Sequence, residues 1–163
     1  MKLFEKGGTV YIHIAGKTEA VVLAANDLRL NLERLSDCTA DFLFTENRND
    51  AKISISVCKD ENIVRPEPEA FTVKISDGGV FIYGYDELGA IYGIYSFCTE
   101  ILNIDPMYRM TDIFPKSVCK MEIENVTYSQ GTAKCRFRGW FLNDEDLLTD
   151  FKPWEGTRNI DYP

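Results

Sequence analysis

The stretch EAFTVKISDGGVFIYGYDELGAIYGIYSF, residues 69–97, contains two strand patterns, a tight turn and the beginning of a helix. Apolar and polar residues alternate in the first pattern, as in a strand with one buried face; the apolar positions are Phe71, Val73 and Ile75. The tripeptide Asp77-Gly78-Gly79 separates it from a second strand pattern at Val80 to Tyr83. Glycine allows the positive φ that such turns require, so the pattern predicts an antiparallel hairpin.

A helix pattern follows this hairpin over residues 84–106. Asp86 is placed to cap the first turn, and the predicted apolar stripe consists of Leu88, Ile91, Tyr95, Cys98 and Leu102. Gly89 and Gly93 lie inside the helix, where each glycine costs about 1 kcal/mol relative to alanine. We therefore expect the helix backbone to lie close to the sheet at these glycines. A phosphate-binding loop does not fit, because acidic residues stand where the anion would bind.

Upstream residues predict a strand, a helix and two more strands. Residues 9–16 alternate like a half-buried strand, and His13, on its other face, is predicted to be packed or exposed rather than catalytic. Thr18 can cap a helix whose apolar stripe comprises Val21, Ala25, Leu28, Leu32 and Leu35. Strand patterns at residues 41–45 and 52–58 come next, before the hairpin.

The order β-α-β-β-β-β-α predicts an α/β (α+β) fold, with a mixed β-sheet and two amphipathic helices packed on one face. After residue 106 we expect an irregular connector and then a short strand through Met121, Ile123 and Val126. A turn is predicted at residues 129–132, and a last strand at Arg136 to Leu142.

Composition excludes several classes of function. The formal net charge is −8, from 26 acidic and 18 basic residues, which argues against nucleic-acid and anionic-membrane partners. No apolar run approaches the ~20 residues of a membrane helix, and the start does not resemble a secretory signal, so a cytoplasmic location is expected. The chain has five cysteines and a single histidine. No cysteines lie at ligand spacing, so we predict reduced thiols and neither a metal nor a cofactor.

The segment FRGWFLNDEDLL, residues 137–148, joins an aromatic run to a cluster of polar and acidic residues, Asn143, Asp144, Glu145 and Asp146. Paired carboxylates suit sugar chemistry, and carboxylates at the carboxyl end of a barrel strand point into the active site. The alternative is a solvated helix start that Asn143 caps. The spacing alone leaves both open.

The hairpin and helix of residues 69–97, with the patterns I-x-G-x-D and G-A-x-Y-G-I-Y, resemble the accessory domain that precedes the catalytic barrel in several glycoside hydrolases. NIDPMYRMTDIFP, residues 103–115, resembles the segment that leaves this domain. RGWFLNDED, residues 138–146, is similar to the first barrel strand of family 115 glycoside hydrolases, which remove glucuronic acid from xylan. Related accessory domains occur in family 20 β-hexosaminidases and family 67 α-glucuronidases. The resemblance covers about residues 9–150.

This resemblance implies an accessory domain with its connector at residues 1–128, resembling β-hexosaminidase domain 2. Residues 129–163 would be the truncated start of a (β/α)8 catalytic barrel. It further implies that the residues after the first barrel strand contact substrate; those positions here are Asn143, Asp144 and Glu145. Trp154 is a candidate platform for stacking on a sugar, with packing as the alternative. Because nearly all of the barrel would be missing, no catalytic residue is expected in this chain.

Two hypotheses about function follow. In the first, the chain is the N-terminal, non-catalytic portion of a carbohydrate-active glycoside hydrolase, inactive alone, which meets its carbohydrate substrate through the missing barrel. In the second, the chain is a free-standing carbohydrate- or protein-binding module. The sequence identifies neither the sugar nor the oligomeric state, and it leaves enzymatic activity of the chain itself undecided.

Overall fold

The structure is a computed structural model that describes residues 1–58, 63–135 and 137–139. The chain divides into two compact units, Met1–Ala133 and Lys134–Pro163. All the elements described below belong to the first unit. In the second unit, residues 137–139 are not in a strand, and the rest of the last strand predicted at Arg136 to Leu142 lies outside the described residues. The predicted start of a barrel therefore stays a prediction.

The first unit contains a six-stranded mixed sheet and a separate two-stranded sheet. The strands are β1 (Lys2–Glu5), β2 (Thr9–Ala15), β3 (Asp41–Thr45), β4 (Ile53–Val57), β5 (Phe71–Ser76), β6 (Gly79–Gly84), β7 (Lys120–Glu122) and β8 (Val126–Gln130). The large sheet has the order β3-β2-β4-β6-β5-β8. Its first four strands run parallel, while β5 is antiparallel to β6 and to β8. The predicted mixed sheet is confirmed.

Two helices, α1 (Glu19–Leu35) and α2 (Glu87–Glu100), pack against each other and against one face of this sheet. The Thr18 hydroxyl accepts a hydrogen bond from the Val21 N–H, and the Asp86 carboxylate accepts one from the Gly89 N–H. Both predicted caps are thus present. The core lies between this helix pair and the sheet, where Ile12, Ile55 and Ile82 are fully buried.

The predicted apolar stripe is correct for α1 and partly correct for α2, where Cys98 and Leu102 are buried and Ile91 packs against the core. All the predicted stripe residues of α1 are buried. On α2, however, Leu88 and Tyr95 are exposed, and the buried face consists of Gly89, Ala90, Gly93, Ile94, Phe97 and Cys98. The helix is therefore rotated from the expected orientation so that its smallest residues meet the sheet.

Close approach explains the two glycines of α2, as the sequence predicted. A Cβ atom added at Gly89 would lie 2.2 Å from the Ala70 carbonyl oxygen, and one at Gly93 would lie 2.7 Å from Ile82 Cγ2. The predicted hairpin turn is also confirmed. Gly79 pairs with Ser76 across the turn and has a φ of +136°, a conformation that L side chains rarely adopt.

The sequence analysis missed part of the strand pattern. It did not predict β1, which pairs with β7. It also placed Val126 at the end of one short strand and residues 129–132 in a turn. In the structure, β8 is a separate strand that extends to Gln130 and pairs with β5 at the edge of the large sheet. The assignment of residues 1–128 and 129–163 to two domains stays a prediction.

The connector after α2 contains a short helix, α3 (Tyr108–Thr111), before β7. Among the described residues, no helix is both long enough and apolar enough to cross a membrane.

Candidate functional site

The predicted substrate contacts Asn143, Asp144, Glu145 and Trp154 lie outside the described residues. Their assignment stays a prediction. His13, which the sequence analysis set aside, lies half-buried on the sheet face opposite the helices, next to Ser54 of β4 in the register. Within the described part of the chain, His13 Nδ1 and Ser54 Oγ are buried without a hydrogen-bond partner.

The described residues bring polar side chains together at a different place, a cleft of about 320 Å³ between α1, α2 and the connector. We call it the connector cleft; it is lined by Asp27, Asn31, Tyr95, Cys98, Thr99, Ile104, Asp105, Pro106, Tyr108 and Arg109. The residues of α1 and α2 face the first turn of α3 across it. The cleft therefore joins residues that lie far apart in the sequence.

Asp27 is the acceptor at the mouth of the connector cleft. One carboxylate oxygen accepts a hydrogen bond from the Tyr95 hydroxyl at 2.8 Å, and the other accepts one from Arg109 Nη2 at 2.9 Å. Arg109 Nε also donates to the Tyr108 hydroxyl oxygen at 3.2 Å. Asp27 thus ties together both helices and the connector.

Asn31 is the buried member of the cleft, with only 5% of its surface exposed. Its side-chain carbonyl accepts a hydrogen bond from the Tyr108 hydroxyl at 3.0 Å, and its amide lies 3.9 Å from the Cys98 sulfur. Because an unpaired buried amide is costly, the Tyr108 hydroxyl stabilises the docked position of the connector.

Aromatic contacts extend this attachment along α1. The Arg34 guanidinium lies 4.1 Å from the centre of the Phe114 ring and 5.9 Å from that of Tyr108. The two rings themselves meet edge to face, with centroids 5.3 Å apart. A backbone hydrogen bond of 2.8 Å from the Val118 N–H to the Leu35 carbonyl continues the contact. The connector is therefore fixed to α1 at several points.

The electrostatics of the connector cleft do not suit acid–base chemistry near neutral pH. Partial burial in the cleft raises the pKa of Tyr95 to about 12, and its hydrogen bond to Asp27 acts in the same direction. Burial also raises the pKa of Cys98 to about 12. A phenol and a thiol that stay protonated are neither general bases nor nucleophiles. The hydrogen bonds that Arg109 donates to Tyr108 and to Asp27 raise the pKa of Arg109 above its ordinary value, so it stays a cation.

No group of three or more His, Cys, Asp or Glu side chains within the described ranges could hold a metal ion. The contacts in the connector cleft attach the chain that leaves α2 to α1. Sequence reasoning missed it because Asp27 and Arg109 are 82 residues apart. Asp27 lies away from the apolar stripe of α1, where charged residues are common, so its sequence position alone does not mark a site.

Comparison with solved structures shows which proteins this fold resembles. A GH115 4-O-methyl-α-glucuronidase with specificity for decorated arabinogalactans matches with a TM-score of 0.64 and 18% identity, over 78% of this chain and 18% of that enzyme. The chain shares the fold of that region. A GH138 enzyme targeting pectin rhamnogalacturonan II matches at a TM-score of 0.43 and 18% identity, over 56% of this chain and 10% of that one. A GH20 exo-β-N-acetylglucosaminidase from Vibrio harveyi matches with a TM-score of 0.39 and 17% identity. The match covers 64% of this chain and 14% of that enzyme.

The resemblance to a family 115 glycoside hydrolase, first seen in short motifs, is thereby confirmed as a resemblance of fold. The matched region spans 18% of that enzyme's length. No protein-family model and no curated protein sequence matches the chain.

Proposed function

We propose that this chain is the N-terminal, non-catalytic portion of a carbohydrate-active glycoside hydrolase and is inactive when isolated. The parent enzyme would remove a uronic acid or a similar sugar from a plant polysaccharide. The observation that carries the proposal is the fold match of 78% of this chain to 18% of a GH115 α-glucuronidase. A match of that proportion is expected for an accessory domain within a longer enzyme.

The connector cleft supports this function. An accessory domain that orients a catalytic barrel must fix the segment leading into it. Here the chain beyond α2 is held to the domain twice. Tyr108, Arg109 and Phe114 contact α1, and β8 then pairs with β5 before the first unit ends at Ala133. The domain would thus hold the chain ahead of the barrel, and the substrate contacts Asn143, Asp144, Glu145 and Trp154 would be supplied by the chain that follows.

The chemistry of the described residues agrees with a non-catalytic role. Glycoside hydrolysis needs two carboxyl groups held about 5–9.5 Å apart around the sugar. Two carboxylates line the connector cleft: Asp27 is engaged by Tyr95 and Arg109, and Asp105 accepts a hydrogen bond from the Met107 N–H. We therefore expect the catalytic acid and base on later strands of the barrel.

A free-standing binding module is the second candidate. It is favoured by one observation: Met1–Ala133 forms a compact unit with its own core between the helices and the sheet. Such a module would bind carbohydrate or protein without a barrel. The length of the reading frame beyond the codon for Pro163 separates the two candidates, since the hydrolase requires further alternating strands and helices.

Kinetics of the longer gene product test the site assignment. Asp144→Ala should lower kcat/KM on an aryl glucuronide or aryl hexosaminide by at least about tenfold, or ~1.4 kcal/mol, without loss of the fold. Asp37→Ala, at an exposed residue just after α1, is the matched control and should leave kinetics unchanged. Wild-type kinetics for Asp144→Ala would remove Asp144 from the substrate site.

A further inference from the structure

The strand β3 forms one edge of the six-stranded sheet, and among the described residues it pairs only with β2. The pairing runs without a bulge from Thr9–Asp41 to His13–Thr45. Leu43 is 50% exposed and Phe44 is 44% exposed. Natural edge strands are commonly protected by lysine, proline or a bulge, and β3, with the sequence DFLFT, has none of these.

One observed hydrogen bond shows which backbone N–H and C=O groups of β3 point away from β2. The Asp41 N–H donates to the Gly8 carbonyl at 2.9 Å, so it points toward β2. Since successive residues of a strand point their backbone groups to alternate sides, Phe42 and Phe44 present their N–H and C=O groups at the free edge. The edge thus offers donors and acceptors two residues apart.

This arrangement is self-complementary. A two-fold axis through Leu43 places Phe42 of one copy opposite Phe44 of another, and both are residues whose backbone groups point outward. Each such antiparallel pair exchanges both of its N–H···O bonds. Leu43 then meets its own copy in a non-hydrogen-bonded pair, where the Cα atoms lie about 4.5 Å apart. All residues of β3 take part in this register.

The side chains are compatible with the same register. The exposed Leu43 packs on its counterpart next to Tyr11, its neighbour on β2. Asp41 falls opposite Thr45, so no like charges face each other. The two Asp41 carboxylates are offset by four residues, about 14 Å at about 3.4 Å per residue, which exceeds the Debye length of about 8 Å at physiological salt.

We propose that β3 is a self-association edge through which two copies of this chain join their sheets in antiparallel fashion, centred on Leu43. One strand pair buries little surface, so the dimer is weak and reversible. Each copy has a net charge of −8. Mutual repulsion therefore opposes pairing, and added salt strengthens the dimer by screening it.

Sedimentation equilibrium of residues 1–163 over a range of concentrations tests this proposal. Leu43→Lys should weaken dimerisation by at least about tenfold, because it places two lysines directly opposite each other. Leu23→Lys makes the same change at a leucine that is 61% exposed on α1, and it should leave the dimer unchanged. Circular dichroism establishes that both variants fold.

Oxidative cross-linking supplies the second readout. Leu43→Cys should form a reducible dimer above the level of the parent chain, because the expected Cα separation permits a disulfide; Leu23→Cys should not. A monomer at all concentrations would overturn the proposal, as would a dimer equally weakened by both lysine variants. A monomer whose Phe42 and Phe44 amides resist hydrogen exchange would overturn it too, by showing that the same chain covers the edge.

Discussion

Gly89 illustrates how a single residue sets the distance between a helix and its sheet. Its Cα faces the backbone at Ala70, and an added Cβ would lie 2.2 Å from that carbonyl oxygen. Backbone atoms cannot rotate away as a flexible side chain can. A larger residue does not fit at this buried position, although glycine has a low helix propensity. The two glycines inside an otherwise regular helical pattern were the sequence signal for this close approach.

We expect Gly89→Ala to lower the free energy of unfolding by about 1–3 kcal/mol, although alanine is the better helix former. The reason is overpacking against Ala70. Urea denaturation measures the change. The control is Gly78→Ala, where the nearest atom to an added Cβ is Ser76 Oγ at 3.7 Å, and its midpoint should stay near that of the parent. Equal midpoints for Gly89→Ala and the parent would contradict the close approach.

Tyr108 is the second residue with a specific role. Tyr108→Phe keeps the ring but removes the hydroxyl that donates to Asn31 and accepts from Arg109. A buried acceptor left unpaired costs about 1–3 kcal/mol, so the variant should lose stability in that range. Tyr11→Phe, at an exposed tyrosine of β2, should change stability by less than about 0.5 kcal/mol. A Tyr108→Phe variant as stable as the parent would show that the hydroxyl does not hold the connector.

At the scale of elements, the predictions succeeded where the hydrophobic pattern alone fixes orientation. The α1 stripe was predicted correctly because large aliphatic side chains mark its buried face. The α2 face was misplaced because the close contact is made by Gly89, Ala90 and Gly93, which contribute almost nothing to an apolar pattern. Leu88 and Tyr95 carried the stronger signal, yet they lie on the outside.

Elements whose partners are remote in the chain were the hardest to predict. The strand β8 pairs with β5 across more than fifty residues, as in the pair Val73–Tyr128. Its own residues, VTYSQ, are mixed in polarity. The connector cleft has the same character, since its contacts to Asp27 and Asn31 depend on tertiary docking. No local pattern contains that information.

The raised pKa values of two side chains in the connector cleft predict a loss of stability at alkaline pH. The folded-state pKa values of Tyr95 and Cys98 are raised to about 12, above ordinary values of about 10 and about 8.5. The unfolded chain therefore releases these protons first. The stability that they contribute is complete below about pH 8.5 and declines as pH rises toward 12.

We expect the decline in unfolding free energy between pH 9 and 11 to be shallower in Cys98→Ala than in the parent, because Cys98 is the more buried of the two groups. Denaturant titrations at several pH values measure the slope. Cys38→Ala, at an exposed thiol, is the control and should keep the parent slope. Identical slopes for Cys98→Ala and the parent would show that the thiol does not titrate differently in the folded state.

At the scale of the whole molecule, the connector is fixed to the helices, β7 and β8 then return the chain to the sheets, and the first compact unit ends at Ala133. The chain continues toward the residues predicted to touch substrate. The fold class could be read from the sequence because the order of elements and the hairpin were clear. The substrate site was inferred from family motifs, and Asn143, Asp144, Glu145 and Trp154 lie outside the described residues. Their assignment therefore depends on function tests.

Hydrolysis of an aryl glucuronide and an aryl hexosaminide, compared between residues 1–163 and the longer gene product, tests the central claim most directly. We expect release of the aryl group by the longer protein and none by residues 1–163 at the same concentration, because the paired carboxyl groups of catalysis are expected on later strands. Turnover by residues 1–163 that disappears in Glu145→Gln would contradict it. So would a longer protein that folds but cleaves neither substrate.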